Sequence, residues 1–444
     1  MNSSMFAVIN WNNMKIQTQL KELLGSHIIT QEIADKIVDY YAQKSNGKPN
    51  PLLIAFGILG ALIGGLGIIL ILAHNWDSLS VRMKSIIAFL PLLLGQFLCG
   101  YSLFKKKGNV VWSESSSLFL FISIGACISL ISQVYHISGD FDTFLITWLL
   151  LGLPLVYLLR SFSTSLLYII GITFYGVNQG YFNWNAGETY YFWMLLAGIL
   201  PFIVWMQKTQ KDNNFLKIAY WFIALSLTIT LGTIAYKTDI LMHIAYFSLF
   251  GVMYNFGHSR WMSNHRIISN GPRFIGGLGM TAMLFFYSFN DFWRFFGRYA
   301  ANIYWGKAIL SPELLASTSL ILLSIIILCI KVKRTSWQSL KPMSFLPFLF
   351  VLLFALGYYW SFSQLAINIT VLLIGVHSIK IGADKDDLGL LNKGLAIVAI
   401  LAFCRFFDQN ISFVIKGIIF LIVGVSFYVA NYLLIQKRKK NLNQ

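Results

Sequence analysis

The chain has 444 residues, of which 57% are hydrophobic and only 11% are charged, and its mean hydropathy is +0.67. Soluble domains carry about 25% charged residues, so this composition excludes a soluble globular protein and favours one whose apolar surface faces a bilayer. The net charge of +17 would suggest nucleic acid in a soluble protein, but in a membrane protein it is typical of basic cytoplasmic connections. We therefore expect the lipid bilayer as a partner, and no nucleic acid.

Residues 1–50 contain the one sizeable polar region and predict a short cytoplasmic helical hairpin. Apolar residues recur at helical spacing up to Gly25, which interrupts the pattern, and Thr30 is placed to cap a second helix. Ile33 and Ile37 would line the apolar face of that helix. The hairpin is interpreted either as a docking module for a protein partner or the membrane surface, or as a self-packed cap.

From Pro51 onward the sequence predicts an all-α polytopic membrane protein with fourteen spans. Lipid offers no hydrogen-bond partners, so each span should be a helix that satisfies its own backbone. The apolar segments cover residues 51–73, 85–104, 117–136, 143–159, 163–179, 191–207, 217–236, 239–256, 273–289, 309–330, 343–359, 362–379, 390–405 and 411–435. They form a first transmembrane unit, residues 51–161, and a remaining bundle, residues 162–435, followed by a basic tail, residues 436–444.

Basic residues predict the orientation of these spans. With the N-terminus inside, 26 of the 34 Lys and Arg residues fall on the cytoplasmic side, including Lys105–Lys107 and the tail sequence QKRKK. Both termini are therefore predicted to be cytoplasmic. The glycine-rich first span, GILGALIGGLG, contains Gly60 and Gly64 in a G-x-x-x-G pattern, which predicts close packing against another helix.

Two polar segments follow apolar spans and fall on the same, outer side in this orientation. The first span ends in AHNWDSL and the third in SQVYHISGDFD. Gln133 and His136 are three residues apart and could share a helix face, Gly139 could end the helix, and Asp140 would begin the next turn. The candidate outward polar site comprises His74, Asn75, Trp76, Asp77, Gln133, Tyr135, His136, Asp140 and Asp142.

The same residues give only weak support for a metal or a catalytic site. His and Asp are competent ligands, but H-x-x-D and H-x-x-x-D are common spacings, and polar groups at helix ends more often cap helices. No nucleophile, zinc-protease or P-loop motif occurs. We expect no metal and no cofactor, and the identity of any catalytic residue is unknown.

The order of these motifs resembles a known family. A hairpin containing GSHIITQEIADKIVDYY, a glycine-rich span, NWDSL and SQVYHISGDFDTFLITWLLLGLPLVYLLRS follow one another over residues 15–161. This arrangement resembles the bacterial predicted membrane proteins of domain of unknown function 2157, which carry Asn-Trp-Asp and Gln-x-Tyr-His-x-x-Gly-Asp motifs. The matching positions are Asn75, Trp76, Asp77, Gln133, Tyr135, His136, Gly139 and Asp140, with Trp148 and Pro154 further on. The resemblance implies a multi-pass protein of the bacterial plasma (inner) membrane and implies no activity.

Three functions are compatible with the sequence. The favoured one is transport or binding of a solute or an envelope lipid precursor through the outward polar site. An alternative is an envelope enzyme, such as a glycosyltransferase with a lipid-linked donor, in which Asp77 would act as general base. A further alternative is a non-catalytic partner or sensor protein that binds through the N-terminal hairpin.

Overall fold

The computed structural model describes residues 20, 22–26, 28–45, 51–74, 79–182, 190–209, 213–235, 239–259, 262, 267–294, 311–334, 341–357, 362–406 and most of 412–432. Regular structure in these residues is entirely helical, which confirms the all-α fold class. The chain forms two compact units, Met1–Tyr168 (unit 1) and Ile169–Gln444 (unit 2). Each unit is described by itself below.

We number fourteen of the α-helices within the described residues. Those that begin in unit 1 are α1 (Gln31–Ser45), α2 (Pro51–His74), α3 (Val81–Phe104), α4 (Val110–Val134), α5 (Phe141–Leu158) and α6 (Phe162–Val177). Those of unit 2 are α7 (Tyr190–Thr209), α8 (Asn214–Thr230), α9 (Asp239–Gly257), α10 (Gly271–Phe286), α11 (Pro312–Arg334), α12 (Leu346–Gly357), α13 (Phe362–Asp384) and α14 (Leu388–Phe406).

Among the described residues, nine helical stretches are long and apolar enough to cross a membrane. They are Val81–Phe104, Val110–Val134, Phe141–Leu158, Tyr190–Thr209, Asn214–Ile234, Ile240–Gly257, Pro312–Lys333, Phe362–Asp384 and Leu388–Arg405. Many large apolar side chains on them are exposed, including Phe97 and Leu373, as expected of surfaces that face lipid. A helical membrane protein is therefore confirmed, whereas the count of fourteen spans and the cytoplasmic termini remain predictions.

Helix α4 is the central helix of unit 1, and small residues bring its neighbours close. An ideal Cβ on Gly95 of α3 would lie 3.1 Å from Leu120, and one on Gly152 of α5 would lie 2.3 Å from the Phe121 ring. The Trp148 indole also donates a 2.7 Å hydrogen bond to the carbonyl of Phe121. Side chains larger than hydrogen at Gly95 and Gly152 would therefore push α3 and α5 away from α4.

The glycine ladder of the first span packs differently from the prediction. A Cβ added at Gly60 or Gly64 meets no atom of the described residues within 4 Å, so the predicted close contact at this G-x-x-x-G pair is wrong. Close contact occurs instead at Gly57, where a Cβ would lie 2.9 Å from the Ser115 hydroxyl of α4. The contact lies one turn earlier because α2 meets α4 near the first turns of both helices.

The N-terminal hairpin keeps its second helix but not all of its predicted face. Helix α1 begins after Thr30, whose carbonyl accepts hydrogen bonds from the amides of Ile33 and Ala34 at 3.1 Å each. Ala34 is buried, while Ile33 is exposed. The face turned inward is therefore centred one residue later than the hydrophobic pattern predicts.

A buried carboxyl group joins the start of α4 to the start of α6. Glu114 is only 4% exposed, and its Oε1 accepts the amide of Phe162 at 2.8 Å. Its Oε2 accepts the Ser163 amide and the Ser161 hydroxyl, both at 2.8 Å. A helix leaves its first amides without intrahelical partners, and here the glutamate satisfies two of them across 48 and 49 residues of sequence.

Hydroxyl groups extend this contact, which we term the Glu114 cap. Thr164 Oγ1 lies 3.0 Å from the Ser161 oxygen, whose proton is donated to Glu114, and 2.7 Å from the Ser117 hydroxyl on α4. The Ser113 hydroxyl donates to the carbonyl of Leu159 at the end of α5. Glu114 and Ser117 thus form one buried polar network with Ser161 and Thr164, and this network stabilises the contact between α4 and α6.

We predict that Glu114→Ala destabilises unit 1 by about 3 kcal/mol, because two amides and one hydroxyl lose their acceptor inside a buried site. Glu114→Gln should be intermediate, since its amide nitrogen faces donors. The matched control is Glu32→Ala, which removes an exposed carboxylate paired with Lys36 at 2.7 Å and should cost less than about 0.5 kcal/mol. Unfolding in detergent, followed by circular dichroism, measures both; equal losses would contradict the role of the Glu114 cap.

Candidate functional site

The end of α2, which precedes the first motif in the sequence, lies at the same end of unit 1 as the second motif. Helix α2 meets α4 at Gly57, which lies against Val111 and Ser115, and it ends at His74, seven residues before α3 begins at Val81. Helix α3 runs antiparallel to α4, with the Ser85 hydroxyl near its start donating to the Tyr135 hydroxyl at 3.0 Å. The end of α2, the start of α3 and the end of α4 are therefore at one end of the unit. Residues Asn75, Trp76 and Asp77 and the side chain of His74 lie outside the described residues, so convergence of the two motifs stays a prediction.

Helix α4 ends differently from the sequence prediction. It stops at Val134, and His136 adopts a left-handed conformation with φ 51°. The amide of Ile137 donates to the carbonyl of Ser132 at 2.9 Å, and that of His136 to Gln133 at 3.4 Å. These bonds form a Schellman motif, whose left-handed position glycine usually occupies. The prediction that Gly139 ends this helix is wrong because the closing bonds select His136.

Non-glycine residues occupy the left-handed position elsewhere too. Arg160 follows α5 with φ 51°, and Asp386 follows α13 with φ 55°. A left-handed L-residue costs roughly 1–2 kcal/mol relative to its usual conformations, although His and Asp tolerate it better than most. His136 is thus kept at a position where glycine would be less strained.

The Gln-x-Tyr-His part of the motif is open to its surroundings. Gln133, Tyr135 and His136 are all exposed. Because His136 lies beyond the helix, its spacing from Gln133 is not helical, and the sequence argument for a shared helix face is wrong. The structure nevertheless places both residues within the short turn that ends the helix.

The two aspartates of the motif have structural positions. Asp140 is the N-cap of α5, and its Oδ1 accepts the amide of Thr143 at 3.0 Å. Hydrogen bonds from the Thr143 side chain and amide lower the pKa of the Asp140 carboxyl below its ordinary 3.8. Asp142 is buried in the first turn of α5, where the helix dipole favours a carboxylate.

Metal binding gains no support at this end. No group of three or more His, Cys, Asp or Glu side chains among the described residues could hold a metal ion. Asp77 and the His74 imidazole were the other possible ligands, and both lie outside that set of side chains. The candidate site within the described residues therefore reduces to Gln133, Tyr135 and His136, with Asp140 supporting the turn.

Sequence reasoning missed a polar cluster in unit 2. The Tyr287 hydroxyl lies 2.6 Å from Nδ1 of His243, inside a group of aromatic rings. The next residue, Ser288, accepts a 3.0 Å hydrogen bond from Arg405 on its hydroxyl. Its carbonyl accepts the side-chain amides of Gln364 and Asn368, at 3.2 and 3.1 Å. These groups come from α9, the end of α10, α13 and α14, so no local sequence pattern could bring them together.

Comparison with protein families supports the resemblance seen in the sequence. Residues 21–165 match a family model described as "Predicted membrane protein (DUF2157)". The match covers both motifs and all members of the Glu114 cap from Ser113 to Thr164. Comparisons with curated proteins and with solved structures give no match.

We predict that Asp140→Ala lowers the melting temperature by a few degrees, because the Thr143 amide loses its cap. Asp140→Asn keeps an oxygen acceptor and should remain close to the parent protein. The lowered pKa means that the carboxylate contribution is complete above pH 3.8 and is lost as the pH falls below it. Melting in detergent at neutral pH measures the variants; equal stability of Ala and Asn variants would contradict a capping role.

We predict that His136→Gly melts at the same temperature as the parent or higher, because glycine adopts φ 51° without a Cβ penalty. His136→Ala keeps the strain and should not gain stability. Glycine and alanine variants that both melt well below the parent protein would show that the imidazole itself stabilises the helix end, and would remove the reason to treat it as a binding group.

Proposed function

We propose that this relative of the predicted membrane proteins of domain of unknown function 2157 binds the headgroup of an amphiphilic envelope lipid precursor and transports it. The binding site in this proposal is the end of unit 1 that carries Gln133 and His136. The observation that supports it best is the exposed polar pair on a strained turn. Strain retained at a position that favours glycine suggests that the imidazole has a use beyond the fold.

Apolar neighbours favour an amphiphile over a small soluble solute. Tyr135, Ile137 and Phe141 are 56%, 57% and 50% exposed, directly beside the polar pair. At the level of the membrane interface such side chains contact acyl chains, while the imidazole and amide reach polar groups. A ligand with a polar head and an apolar tail satisfies both sets at once.

Transport is favoured over the other functions by the extent of the membrane part. Nine spanning helices among the described residues are far more than an anchor requires. The enzyme alternative depends on Asp77, which lies outside those residues, and no contact favours it. The N-terminal hairpin, with an exposed Ile33 on α1, remains proposed as a docking surface for a protein partner.

The test is binding of a fluorescent polyprenyl phosphate-linked sugar to the protein in nanodiscs, compared with binding of its water-soluble headgroup. Gln133→Ala with His136→Gly should weaken binding of the amphiphile about tenfold, through loss of two polar contacts, without unfolding the protein. Ile137→Ser should weaken the amphiphile and leave the free headgroup unchanged. The control is Phe104→Ser, which changes a more exposed apolar residue at the opposite end of unit 1.

Binding of the amphiphile that is unchanged in both Gln133/His136 and Ile137 variants would refute the proposed site. A liposome assay of probe movement between leaflets then separates binding from transport. Variants that bind the probe normally but fail to move it would show that these residues act in transport and not in recognition.

A further inference from the structure

Basic side chains from several helices gather at one end of unit 2. Arg273 lies in the first turn of α10, where its Cβ would be 2.5 Å from a Cβ added at Gly257, the last residue of α9. Lys341 directly precedes the helical stretch Pro342–Gly357. Lys393 on α14 reaches that stretch, with its Nζ 3.9 Å from the sulfur of Met343. We term Arg273, Lys341 and Lys393 the basic cluster; the charge rule places it on the cytoplasmic side.

The pKa of His258, just after α9, is affected by the positive charge around it. Burial lowers the pKa of His258 to about 3, and the positive charges of Arg273, Lys341 and Lys331 act in the same direction. The hydrogen bond to the carbonyl of Tyr254 opposes them. At neutral pH the imidazole is therefore uncharged. Several cations lie close enough to repel any proton it would gain.

The carboxylates near the basic cluster come from the end of α13 and the connection to α14, which carry Asp384, Asp386 and Asp387. Partial burial of Lys341 lowers its pKa, and the positive charges of Arg273 and Lys385 act in the same direction. The negative charge of Asp387 opposes this shift. The Asp387 carboxylate also caps α14, because its Oδ1 accepts the amides of residues 389 and 390 at 3.0 and 3.1 Å.

The other two adjoining connections offer no acids. By sequence, residues 260–266 and 335–340 contain no Asp or Glu, and the first of them adds two arginines and a histidine. Arg273 and Lys341 make no side-chain hydrogen bond to the part of the chain that the structure describes. An anion from outside the chain would relieve the repulsion within the basic cluster.

Buried polar atoms beside the cluster lack partners. Asn255 and Ser344 are fully buried, and the Asn255 side-chain amide donates to the Ser344 carbonyl at 3.3 Å. Asn255 Oδ1, the Ser344 hydroxyl and His258 Nε2 have no hydrogen-bond partner among the described residues. His258 Nδ1 lies 2.9 Å from a carbonyl oxygen, which can only accept, so Nδ1 carries the proton and Nε2 is an acceptor. Buried polar atoms are nearly always hydrogen-bonded, so this site fits a ligand with hydroxyl donors as well as negative charge.

We propose that the basic cluster binds a phosphate ester that also carries a hydroxyl group. Arg273, Lys341 and Lys393 contact the phosphate oxygens, because guanidinium and ammonium groups form short charge-assisted hydrogen bonds to them. His258 Nε2 and Asn255 Oδ1 accept from the hydroxyl. Two sources share this chemistry: the headgroup of an anionic phospholipid in the adjacent leaflet, and a soluble phosphate ester.

The experiment uses the full-length protein in nanodiscs of phosphatidylcholine with and without phosphatidylglycerol, and glycerol 3-phosphate as the soluble probe. Native mass spectrometry counts phosphatidylglycerol molecules retained after release, and calorimetry measures glycerol 3-phosphate. Arg273→Gln with Lys341→Gln should weaken binding roughly thirtyfold. The matched control, Lys333→Gln with Lys380→Gln, removes two exposed lysines near the ends of α11 and α13 and should change binding less than about threefold.

The outcomes separate the two sources. Specific retention of phosphatidylglycerol without binding of glycerol 3-phosphate assigns the site to a lipid headgroup, and tight binding of glycerol 3-phosphate assigns it to a soluble ester. Equal binding by the parent and the Arg273/Lys341 variant overturns the proposal, as does an equal loss in the control, which would indicate surface charge alone. If the double variant does not fold, Lys341→Gln alone decides, since Lys341 is exposed; about fivefold weaker binding is expected, and unchanged binding overturns the proposal.

Discussion

Burial of the Glu114 carboxyl group is the constraint on which unit 1 depends. A carboxyl group without partners would be costly at a site only 4% exposed, and the amides that begin α6 would be costly without an acceptor. The Glu114 carboxyl group accepts the amides of Phe162 and Ser163 at 2.8 Å, so that the carboxyl group and the amides satisfy one another. Helix α4 therefore has a fixed partner at one end, and close contacts at Gly95 and Gly152 align α3 and α5 along it. The motif at its far end is presented by a helix that is held on several sides.

Hydropathy predicted much of this architecture, because spanning length and apolar composition are local properties of the chain. The same approach placed both motifs at one end of unit 1, since spans alternate in direction. It could not find the Glu114 cap, because an acid in SESSS resembles any polar residue at a helix start until its partners 47 to 49 residues away are known. A repeated hydroxyl pattern in SFSTS was the available signal.

The residues that end the helices also could not be predicted from the sequence. Gly139 was the reasonable choice for a left-handed residue, yet the pairing of Ile137 with Ser132 assigns that conformation to His136. Asp140 was expected to begin a turn, and it is the N-cap of α5, where it accepts the Thr143 amide. The basic residues of unit 2 were useful for orientation, but their position beside buried, unpartnered polar atoms depends on contacts between α9, α10, α14 and the start of Pro342–Gly357. Charge counts contain no such information.

The left-handed turn at His136 has a consequence for the entropy of recognition. Six residues, Ser132 to Ile137, are closed by a backbone hydrogen bond of 2.9 Å, and the Ser132 hydroxyl donates to the Ile137 carbonyl at 3.0 Å. The backbone thus fixes the direction of the Cα–Cβ bond of His136, and only its side-chain torsions remain free. A ligand that binds there orders two torsions of His136 rather than a loop, so little of the binding free energy is lost to immobilisation. Because the turn is already ordered by folding, binding of a ligand there would cost less conformational entropy than binding to a flexible loop.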